Sequence, residues 1–256
     1  MKKMMTGVAV AALLAGMSLA TAMTAAQAAD LGGKVLKVGS DTTNPPLESI
    51  DTNSKQIVGF DVDVVNAVCA KINCKAEFVT TAWDGIFAAL QSNNFDLVAS
   101  DVSITDERKK QMDFTDPYLI ASESVLVKVA DQNLTVDEIK AKHLKLSAQT
   151  GTTDADLAVD LVGRENVSLY DNFTAVISAL RNGDVQGAVI GTTNAQAYEK
   201  EFAGELVVAV KGLKSDQIGL VFRQGDPNVD AFNEGLKLVK ADGTIDKLIA
   251  KYWGPK

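Results

Sequence analysis

Hydrophobic and polar positions along the chain alternate between strand-like and helix-like periods. Residues 35–39 read as a buried strand, followed by a turn-rich loop through Asn44, Pro45 and Pro46. Val65, Val68, Cys69 and Ile72 then fall at i, i+3, i+4 and i+7, the spacing of one buried helix face. Residues 76–79 predict the next strand, 84–91 the next helix and 95–99 a further strand. The same units return after Ser122. Thr135 and Glu138 form the capping-box signature of a short helix. Residues 144–148 predict a strand, 153–161 a helix and 167–169 a strand. Phe173, Val176, Ile177 and Leu180 mark another helix face, stopped by Asn182-Gly183, and residues 187–190 predict the strand after it. Asp226-Pro227 reads as N-cap and first residue of a helix reaching about Ala241, and residues 245–251 predict a closing helix. Such alternation belongs to the α/β class, with mostly parallel sheet and helices on both faces.

The two halves resemble each other. A shift of 90 residues sets Ile86 on Val176, Ala89 on Ala179 and Leu90 on Leu180. It also sets the strand ending at Asp101 on the strand ending at Gly191. No shorter repeat of the solenoid kind is visible. Ligands of open α/β sheets bind beyond the carboxyl ends of the strands. Asp101 and Gly191 are therefore expected at equivalent places, facing one crevice between two lobes.

The first residues read as an export signal and not as fold. Lys2 and Lys3 precede an apolar stretch over residues 8–19, and Ala26-Gln27-Ala28 supplies a cleavage site before Ala29. The apolar stretch is short of the ~20 residues needed to span a bilayer, and no later segment is apolar enough. Removal of residues 1–28 takes away two lysines and no acids, so the charge moves from −8 for all 256 residues to −10. That acid excess argues against a nucleic-acid partner. With 46% apolar and 23% charged residues the chain is an ordinary globular one, long enough for one large or two modest domains. Two cysteines and one histidine are too few for a structural zinc site or a disulfide-dense scaffold. In an oxidising compartment Cys69 and Cys74 are expected to pair, and closing so short a loop contributes about 2 kcal/mol.

Two stretches carry candidate chemistry. Ser100-Asp101-Val102-Ser103 and, after it, Thr105 and Arg108 place hydroxyls, a carboxylate and a guanidinium near one strand end. A guanidinium holds a carboxylate bidentately, which lysine does not. The plainer alternative is a solvated loop, with Thr105 capping a helix and Arg108 on its surface. Gln149-Thr150-Gly151-Thr152-Thr153-Asp154 lies between a strand and a helix. The N–H groups of Thr152 and Thr153 at such a helix start suit an anion, although a simple N-cap gives the same pattern. Trp83 is either core packing or a flat wall for a ligand. His143 lies among lysines with no partner for a catalytic triad.

Several motifs together resemble the family 3 bacterial extracellular solute-binding proteins. They are Gly59-Phe60-Asp61-Val62-Asp63-Val64, the Ser103-Ile104-Thr105…Arg108 stretch, Phe114-Thr115-Asp116-Pro117-Tyr118, Gln149-Thr150-Gly151-Thr152 and Asp242-Gly243-Thr244, in family order over essentially the whole mature chain. The resemblance implies a two-lobed periplasmic-binding-protein fold of type II, each lobe a mixed sheet flanked by helices. Residues 29–119 and 213–256 would form lobe I and 120–212 lobe II, joined by a two-segment hinge near 119–122 and 210–213. It implies a periplasmic monomer that captures a polar amino acid, with a cationic side chain favoured by the nearby acids, and delivers it to an inner-membrane ABC permease. No cofactor or metal is implied.

By position, Arg108 and Ser103 would hold the ligand's α-carboxylate together with N–H groups near Thr152 and Thr153. Ser100 and Gln149 would also line the site, Trp83 would form one wall, and Asp41 would meet the polar end of the side chain. Two positions depart from the family. Asn44 stands where an aromatic residue is usual, and Gly191 stands where an aspartate usually meets the α-ammonium. Asp101, at a position more often uncharged, is expected to replace that aspartate. A second reading is an enzyme on the same fold, of the cyclohexadienyl dehydratase type. That enzyme needs a carboxyl group of raised pKa in the cleft, with Asp41 or Asp101 as candidates.

Overall fold

A computed structural model describes residues 29–254. The expected signal peptide, residues 1–28, lies outside the described residues. The strands Cys74–Thr80, Lys34–Ser40 and Leu97–Val98 lie side by side and parallel. Val221–Arg223 and Met112–Phe114 complete this sheet in antiparallel order. A second sheet repeats the arrangement. Val167–Tyr170, Leu146–Gln149 and Gly187–Gly191 are parallel neighbours, followed by the antiparallel strands Leu119–Lys128 and Leu206–Val210. Each sheet thus runs second–first–third in chain order before its antiparallel strands, as the 90-residue shift requires of a two-lobed chain.

The sheets are mixed, as the family resemblance implies, and not mostly parallel as the alternation of elements by itself predicts. The reason is the path between lobes. Leu119–Lys128 leaves the first lobe on one long strand without a helical crossover, so it enters the second sheet against Gly187–Gly191. Its first residues pair with the returning strand Ser215–Ile218, in register from Leu119 with Ile218 to Ser122 with Ser215. Two antiparallel strands therefore connect the lobes.

Both sheets are buried on two faces. In lobe II, Leu126, Ala188 and Ile190 pack against the helix Phe173–Asn182. Their neighbours Val125, Val127 and Val189 pack on the other side against the helix Thr153–Val162. In lobe I, the helix Phe60–Ile72 buries Phe60, Val64, Val65 and Val68 with Phe222, Phe232 and Leu236. The disulfide Cys69–Cys74 joins the last turn of that helix to the strand after it.

Element ends follow local chemistry. The capping box of Thr135 and Glu138 is present in both directions. The helix predicted from residue 84 begins at Ile86, because Gly85 before it is left-handed at φ 86°. The helix predicted from Asp226-Pro227 runs Asn228–Ala241, and Asp226 Oδ1 accepts from the Asn228 N–H at 2.9 Å. A small sheet of Thr43–Asn44, Glu48–Ile50 and Ile57–Val58 has no periodic signal at two or three residues per strand. The helix Thr192–Glu201 also escaped the pattern, since it buries only Asn194, Ala195 and Tyr198.

Candidate functional site

The carboxyl ends of four parallel strands meet at one cavity between the lobes. Asp41 follows Ser40 at the end of its strand, and Ser100 and Asp101 follow Leu97–Val98. From lobe II come Gln149 and Gly191, the last residues of their strands. The cavity, about 500 Å³ of empty space including its mouth open to solvent, is lined by all of these with Asn44, Trp83, Ser103, Arg108, Thr152 and Thr153. Every site residue expected from the sequence is therefore brought to one place. Glu48, Ser122, Glu123, Asp154, Phe173 and Asp216 also line it and were not singled out. Asp154 closes a motif of the sequence analysis that assigns it no role of its own. Glu123 leaves a fainter trace, as a charge two residues before the apolar run 125–127.

Arg108 combines both readings of its stretch. Thr105 caps the short helix Asp106–Lys109 by accepting from the Arg108 N–H, while the Arg108 side chain turns back toward the cavity. Nη1 donates to the Ser103 carbonyl at 2.9 Å, and Nη2 donates across the cleft to the Gly151 carbonyl at 3.3 Å. The guanidinium carbon lies 5.5 Å from the Trp83 ring centre and 5.4 Å from that of Phe87. Trp83 is both core and wall, packed with Ile86, Leu90 and Phe95 beneath and exposed to the cavity above. Carbonyls and ring faces orient the guanidinium without neutralising it, which leaves donors for an anionic group.

Opposite Arg108, the turn at Gly151 takes φ 74° and leads into the helix whose N-cap is Thr152. Thr152 Oγ1 accepts from the Ala155 N–H at 3.1 Å and donates to the Gln149 carbonyl at 2.7 Å. Such a start leaves first-turn N–H groups directed at the cleft. Ser103 and Thr153 hydroxyls lie 3.1 Å apart across it. Gln149 Nε2 donates to Asp41 Oδ2 at 2.7 Å, and Asn194 Nδ2 reaches the Pro45 carbonyl at 3.3 Å and also Asn44 Oδ1. These bonds join the lobes, so the structure is of the closed form.

Asp101 occupies a left-handed conformation at φ 50°. Such a conformation is uncommon outside glycine and turns the residue into the site. Its N–H donates to Asp61 Oδ2 at 2.8 Å, its Oδ2 accepts from Asn44 at 3.3 Å, and its Oδ1 is buried without a partner. A Cβ at Gly191 would stand 3.9 Å from that Oδ2, so the two positions do face each other. Asn194 Oδ1 fills the place of the missing Gly191 side chain.

Six carboxyl groups and one guanidinium line the cavity. Burial drives most of the resulting shifts. It pushes Asp101 to about 6, opposed by the Asn44 hydrogen bond and reinforced by Asp216. Glu48, held by Asn44 and Ser100 on Oε1 only, is raised well above the usual carboxylate range by burial and then by Asp61 and Asp101. Glu123 is pushed up to about 8 and Asp154 to about 7, each by burial first and by neighbouring carboxylates second. Among the described residues no cluster of ligating side chains is arranged for a metal ion.

Known proteins are similar to this chain in sequence and in fold. The chain is 33% identical over 255 residues to the protein of Neisseria gonorrhoeae named "Probable histidine-binding protein", covering 95% of this chain and 94% of that one. It is 31% identical to the ABC transporter arginine-binding protein 1 of Escherichia coli (strain K12), over 86% of this chain and 91% of the relative. The structure superposes on an ancestral arginine-binding protein bound to arginine with a TM-score of 0.79 and 31% identity, covering 86% and 98% of the two chains. It also superposes on an ancestral amino acid-binding protein, described as a precursor of cyclohexadienyl dehydratase, with a TM-score of 0.75 and 34% identity, covering 86% and 95%. The family model of the bacterial extracellular solute-binding proteins, family 3, matches residues 36–255. With that match and these relatives, the chain belongs to the family 3 bacterial extracellular solute-binding proteins.

Proposed function

We propose that this protein is the periplasmic receptor of an ABC importer, with an α-amino acid of polar or cationic side chain as its ligand. Lobe I then comprises residues 29–119 and 213–256 and lobe II residues 120–212, and the ligand is captured as they close about the paired hinge strands. The observation that carries this reading is Arg108, oriented by the Ser103 carbonyl and the Trp83 and Phe87 rings, opposite a helix N-terminus in a nearly closed cleft. An α-carboxylate between them accepts from the guanidinium, from the Ser103 and Thr153 hydroxyls and from the first-turn N–H groups. The α-ammonium goes to Asp101, whose buried Oδ1 has no partner and which stands opposite Gly191. A carboxylate from lobe I thus offsets the desolvation of the ammonium that lobe II does not.

Arg108→Ala tests the reading. Removing one member of a buried hydrogen-bonded charge pair costs ~2–5 kcal/mol, and each ~1.4 kcal/mol is tenfold in Kd. Calorimetry with the best ligand from a thermal-shift screen of amino acids should show at least a thirtyfold loss at ~2 kcal/mol. Unchanged affinity in a folded variant sinks the carboxylate role.

An enzyme on the same fold is the second reading, favoured by one observation: Asp101 at about 6 and Asp154 at about 7 are carboxyls tuned toward proton transfer in a closed cavity. Both are equally suited to cations. Incubation with prephenate or arogenate separates the two readings, and only the enzyme forms product.

A further inference from the structure

The cavity holds more acid than a simple zwitterion uses. An α-carboxylate answers Arg108 and an α-ammonium answers Asp101, which leaves Asp41, Glu48, Glu123, Asp154 and Asp216. Three of these are engaged by the protein. Asp41 accepts from Thr43 on Oδ1 and from Gln149 on Oδ2. Glu48 accepts from Asn44 and Ser100 on Oε1, and its Oε2, also without a partner, lies in the separate acid group with Asp61 and Asp101. Asp216 is paired with Lys214, 3.3 Å away at the solvent edge.

Glu123 and Asp154 are different. They are 4% and 8% exposed and line the cavity. Glu123 Oε2 is buried with no hydrogen-bond partner, and among the described residues no hydrogen bond contributes to the Asp154 carboxyl's shift. Both are rigidly placed. Glu123 is fixed on the hinge strand, where its N–H donates to the Lys214 carbonyl at 3.0 Å and its carbonyl accepts from the Leu213 N–H at 2.9 Å. Asp154 stands in the first turn of the helix Thr153–Val162, which comes from lobe II. Buried polar groups are nearly always satisfied, so two acids left open toward one cavity mark the place of a missing donor.

We infer that Glu123 and Asp154, with Asp216 at their rim, form a cation subsite on the hinge side of the cavity that takes the side-chain ammonium or guanidinium of a basic amino acid. The inference rests on the amino acid reading above and deepens it. The ligand's second charge then goes toward the hinge, away from Asp41, which the protein already satisfies. A guanidinium or ammonium supplies several donors at once, as two open carboxyls from different elements require. Because Glu123, paired with Gly191, and Asp154 both belong to lobe II while Asp216 stands on the returning strand opposite Ala121, the ligand cation would also tie lobe II to the hinge. Burial first, then neighbouring carboxylates (Asp154 and Asp216 for Glu123, Asp101 and Asp216 for Asp154), push Glu123 to about 8 and Asp154 to about 7, so a ligand cation competes with protons at these acids.

Calorimetry with two charge-matched pairs tests the subsite: arginine against citrulline, whose ureido group is uncharged and nearly the same shape, and lysine against norleucine. Wild type, Glu123→Gln, Asp154→Asn, Asp41→Asn and Arg108→Ala are compared, with thermal melts to confirm folding. We expect wild type to prefer the charged member of at least one pair by tenfold or more. Either hinge-side substitution should reduce that preference to about threefold or less and leave the neutral member's affinity within threefold. Asp41→Asn should leave the preference in place. No preference in wild type, or a preference untouched by both Glu123→Gln and Asp154→Asn, overturns the subsite. Arg108→Ala should weaken both members of a pair alike. If no amino acid binds wild type, the parent reading falls with it, an outcome distinct from binding without charge preference.

Discussion

At the scale of single residues, burial without partners is what makes the cavity acids informative. Glu123 and Asp154 are raised by burial, then by the carboxylates facing them, with Asp101 and Asp216 on the acidic side and Lys214 and Arg108 opposing. An acid whose folded pKa exceeds its unfolded value holds a proton in the native state that the unfolded chain has lost. Its contribution to stability is complete below the ordinary carboxylate pKa and disappears as pH rises to the folded one. Asp61 near 7 and Asp101 near 6 act in the same direction. The ligand-free protein should therefore lose thermal stability between about pH 5 and pH 8. Glu123→Gln should flatten the upper part of that fall in a series of melts. A melting temperature that climbs across the window contradicts the assignment. Affinity for a cationic ligand should move the opposite way, rising with pH as the acids ionise, and calorimetry across the same window measures it.

At the scale of elements, turns decide where the site residues stand. Gly59 precedes the helix Phe60–Ile72 at φ 148°, and a Cβ there would run into the Leu47 carbonyl oxygen. This close approach lets the Phe60 and Asp61 N–H groups donate to the Pro46 and Leu47 carbonyls at 3.0 and 3.1 Å, which holds the small-sheet excursion containing Asn44 and Glu48 against the helix that carries Asp61. Gly59→Ala should destabilise the protein by more than ~1 kcal/mol, since both the conformation and the space exclude a side chain. A denaturation midpoint equal to wild type is the refuting result. The Cys69–Cys74 bridge is a smaller term. Replacing both by serine should cost about 2 kcal/mol from its short loop and leave ligand affinity intact, because the bridge lies in the lobe I core. The first described residue adds a detail at the other end of that core. The Ala29 nitrogen donates to Glu234 Oε2 at 2.8 Å, and in a chain cut before Ala29 this becomes an ion pair with the new α-ammonium.

At the scale of the whole molecule, two lobes meet through side chains and are joined by two strands. Arg108 to Gly151, Asp41 to Gln149 and Asn44 to Asn194 are all polar contacts across the cleft, and the hinge pairing runs from Leu119 with Ile218 to Ser122 with Ser215. Polar bonds alone give the closed form little advantage over solvent, whereas a ligand that bonds to both lobes shifts the balance by its differential affinity. Small-angle scattering should show a smaller radius of gyration with saturating ligand than without. An identical radius in both conditions would contradict ligand-driven closure.

Much of this was readable from the residues. Apolar spacing located the strands and helices that build each sheet, because burial on one face imposes its period whatever lies on that face. Family motifs around Gly59, Arg108 and Gly151 brought out the site residues that a strand end or a helix start positions locally. The 90-residue shift placed Asp101 opposite Gly191. Two things depended on tertiary structure. The direction of the hinge strands, and with it the mixed sheets, comes from which strand pairs with which, and no local period encodes that. The state of the cavity acids was equally hidden. Asp41 and Glu123 are chemically alike in the sequence, yet Thr43 and Gln149 satisfy one while burial leaves the other open. Only packing removes water from a carboxylate and decides which donors reach it.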